Sequence, residues 1–197
     1  MQRGDWVKGY IYITGTGADP ALYNNLDDPL FGDPPTLGAC MTNIRQFVDP
    51  GDYIFVVSGS VPAAPQYIVG GLRVAEKIDH LAAYGRFPQN RLRRDENGFV
   101  RGNVIVDRKG NKHPLDHHKT ETFNQRIKNF IVGDEAAALR TQREVALGRE
   151  RTLRKLSDMF NKAGNRPIDV MGRTRKLDEQ QVHGLMDWLR GIKAEAE

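Results

Sequence analysis

The sequence predicts an α+β fold, with strands in the first two thirds of the chain and helices in the last third. Residues 1–133 contain apolar runs rich in β-branched and aromatic side chains, as strands do. Residues 134–197 instead carry apolar side chains at helical spacing. Glycine and proline clusters separate these runs. We therefore expect a β domain over residues 1–133 and a C-terminal helical extension over residues 134–197.

The composition is that of a soluble globular protein. Of 197 residues, 39% are hydrophobic and 27% are charged. No apolar run approaches the roughly 18 to 20 residues that span a bilayer, and the first residues lack the apolar block of a secretory signal. A single cysteine, Cys40, excludes a disulfide framework and a multi-cysteine zinc module. These features predict a cytoplasmic protein without membrane contact.

The net charge is mildly positive. The chain has 29 Lys and Arg against 25 Asp and Glu, which gives +4 and a pI near 9.2. Residues 1–134 hold 16 basic and 15 acidic side chains, and residues 135–197 hold 13 and 10. Such a balance permits a polyanionic partner without requiring one.

The first strand is predicted from Trp6 to Ile13, ending at the glycine-rich turn Thr14–Gly17. Ala18 to Gly38 contains four of the ten prolines and has neither helical nor strand periodicity. We interpret it as a long ordered loop, a kind of segment that is often functional.

Two further strands are predicted to form an antiparallel hairpin. The residues from Asp49 to Asp52 form a turn by residue type, and the apolar run Tyr53–Gly59 follows it. A second strand extends over Tyr67–Ile78 and is expected to be broken or bulged at the glycine pair Gly70 and Gly71. Two short elements come next, a strand over Asn103–Asp107 and a strand or helix over Phe123–Val132 that ends at Gly133.

Two helices complete the chain. The first is predicted to begin with Asp134 as N-cap and to stop at Gly164, with a seven-residue apolar repeat at Leu139, Ala146, Leu153 and Phe160. The second is capped near Asp178 and carries an apolar face of Val182, Leu185, Met186, Leu189 and Ile192. These faces pack within the chain or pair with another subunit; packing within the chain is the favoured interpretation.

Catalytic signals are few. Thr14–Gly17 lacks the Gly-Lys-Ser/Thr ending of a phosphate loop, and no dinucleotide fingerprint is present. The one cluster with metal-ligating chemistry is His113, Asp116, His117 and His118. Its other interpretation, a polar surface loop introduced by proline, is favoured. The sequence therefore predicts no cofactor and no metal, and an enzyme acting on a nucleotide or nucleic acid through this cluster is an alternative function.

The most informative pattern lies between residues 36 and 78. Thr36-Leu37-Gly38-Ala39-Cys40 is followed by Ile44-Arg45, by Gly51-Asp52-Tyr53 and, after Ser58-Gly59-Ser60, by Val69-Gly70-Gly71. This order resembles the PUA-like superfamily, which includes the EVE, ASCH and YTH-like domains. It is most similar to the nucleotide modification associated domain families of bacteria and phages. Tyr53 stands where those families have tryptophan, and the C-terminal helices have no counterpart in them.

The resemblance implies a partly open β-barrel with a pocket for a base or nucleotide, in a protein associated with DNA modification or restriction. Such a pocket recognises a modified base that is swung out of its stack and held between aromatic side chains. The residues that match the pocket by position are Thr14, Tyr23, Asn24, Thr42, Asn43, Arg45, Ser58, Ser60 and Tyr67.

Roles follow for some of these residues. Asn43 and Ser58 are expected to contact the base edge, and Tyr23 or Tyr67 to stack on the base. Arg45 is expected to meet a phosphate or, as an equal alternative, to form an ion pair with Asp52.

Basic side chains are expected to contact the nucleic-acid backbone. The candidates are Arg86, Arg91, Arg93 and Arg94, and the first C-terminal helix adds further arginines, for which a solvated helix face is an equal alternative. The predicted partner is a nucleic acid, DNA rather than RNA, or a nucleotide. A helical protein-interaction module, including a homodimer through the C-terminal helices, is the remaining alternative.

Overall fold

The computed structural model describes residues 7–197, so Trp6, where the first predicted strand begins, lies outside the described residues. The strands are β1 (Gly9–Ile13), β2 (Thr36–Leu37), β3 (Tyr53–Val57), β4 (Ile68–Ile78), β5 (Arg93–Arg94), β6 (Val100–Arg101), β7 (Phe130–Ala138) and β8 (Thr174–Leu177). The α-helices are α1 (Pro20–Tyr23), α2 (Thr42–Phe47), α3 (His80–Arg86), α4 (Phe123–Arg126), α5 (Gln142–Phe160), α6 (Pro167–Met171) and α7 (Glu179–Ala196).

Six strands form one mixed sheet in the order β2-β7-β4-β3-β1-β8, and β5 and β6 form a separate hairpin. β1 and β3 run parallel, whereas β8 pairs with β1, β4 with β3 and β2 with β7 in antiparallel fashion. Because β2 and β8 lie at opposite ends of this order, the described strands form an open sheet. The predicted α+β class is confirmed, but the sheet is not closed into a barrel.

The predicted hairpin of β3 and β4 is confirmed, including its irregularity. Val56 pairs with Gly70 and Val57 with Ile68, which leaves Val69 as an extra residue on β4. Glycine is needed beside this bulge because a Cβ on Gly71 would lie 2.4 Å from the ring of Phe55.

The chain divides into two compact units, which we call unit A and unit B. Unit A contains the residues up to Leu26, Gly51–Arg73 and Ala136–Glu197, and unit B contains Asp27–Pro50 and Val74–Glu135. Neither unit is one continuous segment. The predicted boundary after residue 133 falls inside β7, which continues to Ala138.

The first C-terminal helix begins later than predicted. Asp134 is not its N-cap, because Thr141 caps α5 through a capping box with Glu144. The buried face of α5 follows helical spacing through Val145, Gly148, Thr152 and Leu156, whereas Ala146 of the expected seven-residue repeat is exposed. The helix also ends at Phe160, before the predicted stop at Gly164.

The prediction for α7 is confirmed. Asp178 caps the helix by accepting a hydrogen bond from the Gln181 amide at 2.9 Å. The whole predicted apolar face is buried within the chain: Val182, Leu185, Met186, Leu189 and Ile192.

Other elements differ from the sequence-based expectation. The long loop contains α1, capped by the Asp19 side chain, and also contains β2. Residues 103–107 form isolated bridges of Val104 and Val106 instead of a strand. The polar strand β8 and the helix α6 were not predicted. Strand β8 has only one buried residue, Leu177, and so lacks the apolar pattern by which a strand is recognised. Among the described residues, no helix is both long and apolar enough to span a membrane.

Unit B has its own apolar core beneath the β5–β6 hairpin segment. Its buried members are Ala83, Phe87, Val104, Val106, Phe130 and Val132. The rings of Phe87 and Phe130 are stacked with their centroids 6.1 Å apart. Phe87 and Val104 thus anchor both ends of the chain segment that carries the hairpin.

Candidate nucleic-acid interface

The positive charge of the chain is concentrated in one part of unit B. Residues 86–112 contain eight Lys and Arg against three Asp and Glu, a surplus of five. Since the whole chain has a net charge of +4, all other residues together carry one net negative charge. We call residues 86–112 the basic segment. It contains the β5–β6 hairpin and the turn that follows it.

The hairpin presents an aromatic ring among arginines. Arg93 lies opposite Arg101, and Arg94 lies opposite Val100. Because side chains alternate between the faces of a strand, Arg93, Phe99 and Arg101 share one face. The Arg101 guanidinium carbon is 5.7 Å from the centroid of the Phe99 ring. Phe99 is 62% exposed, the highest value among the large hydrophobic side chains that are exposed in the described chain.

Asp95 fixes the tip of the hairpin. Its Oδ1 accepts hydrogen bonds from the amides of Asn97 and Phe99, both at 2.9 Å. Gly98 has a φ of 81°, which suits glycine in this turn. The hydrogen bond from Arg101 is the main reason that the pKa of Asp95 lies below its usual value. The ionised Asp95 therefore holds the backbone that presents Phe99.

A second turn in the basic segment has the same construction. Asp107 Oδ1 accepts hydrogen bonds from the Lys109 amide at 2.8 Å and the Asn111 amide at 2.9 Å. Gly110 also has a φ of 81°. The two cations at the tip, Arg108 and Lys109, are exposed. This turn is a second rigid loop that displays positive charge.

Arg93 and Arg94 are exposed on the hairpin, and each has one main-chain partner. Arg93 Nη1 donates to the Gln89 carbonyl at 2.6 Å, and Arg94 Nη1 donates to the Gly98 carbonyl at 2.7 Å. A carbonyl orients a guanidinium without neutralising it, and each guanidinium has five N–H donors. Both side chains therefore keep their charge and further donors for a phosphate.

The other arginines of the hairpin region are held more firmly. Arg86 pairs with Glu76, and Arg91 lies 3.9 Å above the centroid of the Tyr84 ring. Arg101 is bound by two carboxylates, Asp95 at 2.8 Å and Asp27 at 3.2 Å. Of the four backbone-contact candidates Arg86, Arg91, Arg93 and Arg94, the last two have the geometry best suited to a phosphate.

The base of the hairpin is fixed by main-chain contacts. Gly102 has a φ of 101°, and a Cβ there would lie 2.6 Å from the Asn90 carbonyl oxygen. That oxygen accepts hydrogen bonds from the amides of Asn103 and Val104 at 3.0 and 2.9 Å. Asn90 Nδ2 in turn donates to Thr36 Oγ1 at 3.0 Å. The hairpin consequently projects from a rigid, buried polar support.

Asp28 is part of this support. Its carboxylate accepts hydrogen bonds from the Gly38 amide at 2.6 Å, the Ala39 amide at 2.9 Å and the Cys40 amide. Asn103 Nδ2 donates to it at 3.0 Å. Burial nevertheless raises the pKa of Asp28, and burial also raises the pKa of the Cys40 thiol to about 12. The thiol is therefore protonated and is not a reactive nucleophile.

Arg45 is buried, which corrects its expected role as a phosphate contact. Its side chain is 0% exposed and bonds main-chain carbonyls of unit B. The donors reach Cys40 at 2.8 Å, Lys128 at 2.6 Å, Asn129 at 3.1 Å, Arg126 at 3.0 Å and Ala39 at 3.4 Å. Asp52, the other expected partner, lies 3.3 Å from the Lys8 ammonium group. Arg45 thus ties the loop before α2 to the chain that enters β7.

His80 joins the same support as a neutral side chain. Its Nε2 lies 2.9 Å from the Gly38 carbonyl, and its Nδ1 accepts a hydrogen bond from the Ile105 amide at 3.3 Å. An imidazole that donates at Nε2 and accepts at Nδ1 is uncharged. Burial lowers the pKa of His80 to about 4.

We expect His80 to make unit B less stable in mild acid. Its pKa falls from the ordinary 6.5 to about 4 on folding, so below 6.5 the unfolded chain binds the proton first. Above pH 6.5 the protonation of His80 therefore does not affect the free energy of unfolding. Between pH 6.5 and about 4 that free energy decreases as the pH falls. Between about pH 7 and about pH 5.5 the wild type should lose about 1 kcal/mol of unfolding free energy more than the His80→Gln variant. Urea unfolding at both pH values measures this.

The control is His183→Gln, which changes an exposed histidine on α7. It should keep the pH dependence of the wild type. An equal pH dependence of the wild type and the His80→Gln variant would contradict the assignment of His80 as a buried neutral group.

Two of the predicted base-contact residues are buried in unit A. Ser58 and Tyr67 are 0% and 1% exposed, and Ser58 Oγ accepts a hydrogen bond from the Tyr67 amide at 3.1 Å. The Arg149 guanidinium carbon lies 4.7 Å from the centroid of the Tyr67 ring, and Arg149 Nη2 donates to both carboxylate oxygens of Asp19, at 2.9 and 2.8 Å. Burial raises the pKa of Tyr67 to about 12. Tyr67 is therefore already covered and cannot stack on a base in this arrangement, and Ser58 is a packing residue.

The remaining candidates lie nearer the surface. In unit A, Thr14 is half-buried, and the residues Tyr23, Asn24 and Ser60 are exposed. In unit B, Thr42 is half-buried and Asn43 is exposed, both in the first turn of α2. Six of the nine predicted pocket residues thus belong to unit A and three to unit B.

The histidine cluster forms one oriented pair. His118 Nδ1 lies 2.6 Å from Asp116 Oδ1, and the Asp116 side chain is buried. Lys112 Nζ lies 3.8 Å from the other oxygen of Asp116. Within residues 7–197, no three His, Cys, Asp or Glu side chains converge to hold a metal ion. Asp116 thus orients the imidazole of His118. No other described side chain of the cluster indicates which reaction the pair would catalyse.

Comparisons with known proteins found no match to this chain. No protein-family model, no curated protein and no solved structure matches it. The resemblance to PUA-like domains therefore rests on the motifs in residues 36–78.

Some residues of the interface were not among the sequence-based candidates. They are Phe99, Arg108 and Lys109. The signal that marks them is the repeated Asp-x-x-Gly of residues 95–98 and 107–110, which is typical of turns stapled by an aspartate.

Proposed function

We propose that this protein binds nucleic acid, DNA in preference to RNA, through the basic segment of unit B. In this proposal Phe99 stacks on an unpaired or extruded base, and Arg93, on the same face of the hairpin, contacts a flanking phosphate. Arg94, on the opposite face, contacts a phosphate further along the strand. The observation that carries the proposal is the exposed Phe99 ring on the same short hairpin as two exposed arginines. The surplus of five positive charges in residues 86–112 supports it.

The hairpin offers a contact both for the base and for the phosphates of a nucleotide. Every base has a π-face, and stacking of an aromatic side chain on a base is worth about 1 to 3 kcal/mol. Arginine binds phosphate through paired N–H donors, and the counterions released on binding favour association at low salt. The stapled turn at Asp95 presents the ring in a fixed position, so little conformational entropy is lost on binding.

A finer proposal is that the stacked base is modified and that the open sheet is a variant of the PUA-like fold. The motifs of residues 36–78 support this, as does their similarity to families associated with DNA modification. Asn43, exposed at the start of α2 in unit B, is the candidate for contacting the polar edge of the base. Binding of matched oligonucleotides with and without modified bases tests this finer proposal separately.

Replacing Phe99 by alanine tests the stacking contact. Loss of about 1 to 3 kcal/mol of stacking should weaken binding of a single-stranded oligonucleotide by about 5- to 150-fold. Binding of an intact duplex should change far less, because its bases are already stacked. The salt dependence should stay that of the wild type, since no charge is removed. Fluorescence polarisation with single- and double-stranded probes across a salt series measures all three.

The matched control is Phe47→Ala, which removes another exposed aromatic ring of unit B, 54% exposed on α2. It should leave oligonucleotide affinity unchanged. Absence of binding to any oligonucleotide at low salt would refute the proposed function as a whole. If Phe99→Ala and Phe47→Ala lost oligonucleotide affinity equally, Phe99 would not be a specific contact of the interface.

A further inference from the structure

Among the described residues, no strand pairs with the outer edge of β8 in unit A. Strand β8 is the last strand in the sheet order and pairs with β1. Residues 172–176 are all exposed, and only Leu177 of this strand is buried. An exposed edge is a template for pairing with a further extended chain.

The register shows which main-chain groups point outward. Ile13 donates its amide to the Arg173 carbonyl at 3.0 Å, and Ile11 lies opposite Arg175. In an antiparallel pair, hydrogen-bonded and non-hydrogen-bonded positions alternate. Arg173 and Arg175 therefore direct their amide and carbonyl groups toward β1. Thr174 and Lys176 direct theirs to solvent.

The positive charge along this edge favours an acidic partner. Three cations, Arg173, Arg175 and Lys176, occur within four residues, and residues 170–177 include no acidic side chain. Arg175 is placed by the Phe160 ring, whose centroid is 4.6 Å from its guanidinium carbon. Like charges would oppose pairing with a second copy of the same edge.

The outward carbonyls favour a peptide over a nucleic acid at this edge. Phosphates accept hydrogen bonds from N–H groups but cannot donate to the carbonyls of Thr174 and Lys176. An extended peptide supplies donors and acceptors alternately, as in recognition by strand addition. Acidic side chains on such a peptide would meet Arg173 and Arg175 on one face of the added strand and Lys176 on the other.

We propose that the outer edge of β8 binds an acidic, extended peptide segment of a partner protein as an additional strand. This inference is independent of the proposed nucleic-acid interface, because it concerns unit A and uses none of the residues of the basic segment.

Two substitutions at one position separate the main-chain contribution from the charge contribution. Lys176→Pro removes both the outward amide and the side-chain charge without removing a bond to β1, and proline is tolerated on edge strands, so its difference from Lys176→Gln measures the contribution of the amide. Lys176→Gln keeps the amide and removes the charge. The probe is a labelled peptide of repeated Glu-Glu-Thr, whose glutamates fall on both faces of an added strand, with a Lys-Lys-Thr peptide as its control. Binding to the full chain is followed by fluorescence polarisation.

We expect the glutamate peptide to bind and the lysine peptide not to bind. Lys176→Gln should weaken binding by about fivefold through one lost charge contact, and Lys176→Pro by about 25-fold because it loses one hydrogen bond in addition. Lys176→Gln, Lys176→Pro and Arg173→Gln should each reduce the salt dependence of binding, because each removes one positive charge. Hydrogen exchange supplies a second readout that does not depend on how Lys176→Pro folds, because the amides of Thr174 and Lys176 should become protected when the peptide binds.

Three results would overturn the proposal. They are absence of glutamate-peptide binding at low salt, equal binding of the lysine peptide, and binding without protection of the two amides. A DNA oligonucleotide that competes with the peptide and loses affinity in Arg173→Gln would show a nucleic-acid contact at this edge instead. Loss of oligonucleotide binding in Phe99→Ala alone has no bearing on β8.

Discussion

Replacing Arg45 by methionine is expected to lower the free energy of unfolding by about 3 to 5 kcal/mol, the range for removing one partner of a buried charged network. The Arg45 side chain is 0% exposed, and its guanidinium donates to main-chain carbonyls in two segments of unit B, at Cys40 and at Arg126 and Lys128. Methionine fills a similar volume but leaves these acceptors unsatisfied, at about 1 to 3 kcal/mol for each buried group. Urea unfolding followed by circular dichroism measures the change.

Arg93→Met is the matched control, since it removes an exposed arginine from the same unit and should change the stability by less than about 0.5 kcal/mol. Binding experiments on the folded fraction of Arg45→Met separate the two roles considered for this residue. A structural Arg45 predicts that oligonucleotide affinity per folded molecule is retained. A stable Arg45→Met variant with weakened, less salt-dependent binding would restore Arg45 as a phosphate contact.

Removing both exposed arginines of the hairpin is expected to weaken single-stranded DNA binding by about 100-fold at low salt, about tenfold for each phosphate contact. Arg93 and Arg94 each have one carbonyl partner and no carboxylate at hydrogen-bonding distance on the described chain. Their charge is therefore available to phosphates. In Arg93→Ala/Arg94→Ala the slope of log affinity against log salt should become shallower by about 1.4.

The charge-matched control is Arg143→Ala/Arg154→Ala on α5 in unit A. Arg154 is 88% exposed and lies 3.8 Å from Asp158, so this pair removes the same formal charge from another surface. It should leave the salt slope close to that of the wild type. An equal loss of affinity in the two double variants would show that binding follows net charge and not the hairpin.

Local sequence determined the elements whose signals are strong and short-ranged. The β3–β4 hairpin follows from a turn sequence between two apolar runs, and its bulge follows from the pair Gly70-Gly71. Helix α7 follows from one capping aspartate and a five-residue apolar face. In each case the periodicity, the turn or cap residues and the burial pattern indicate the same element, so local propensity and tertiary packing agree.

Short polar elements could not be predicted in this way. Strand β8 has one buried residue and three cations, and it is a strand because β1 offers it an unpaired edge. Asp134 was expected to start a helix, but β7 continues past it because residues 130–133 are buried in the sheet. Long-range pairing outweighs local propensity at both places.

The sequence by itself determined the α+β class, the hairpin, the last helix and an excess of arginines around the β5–β6 segment. Only the tertiary structure decided which polar side chains face solvent. It buried Arg45, Ser58 and Tyr67, which the motifs had assigned to a base pocket, and it exposed Phe99 on a stapled turn. The physical reason is that motif spacing fixes where a residue lies along the chain. Its accessibility depends on contacts with residues remote in sequence, such as the carbonyls of residues 126–129 that enclose Arg45.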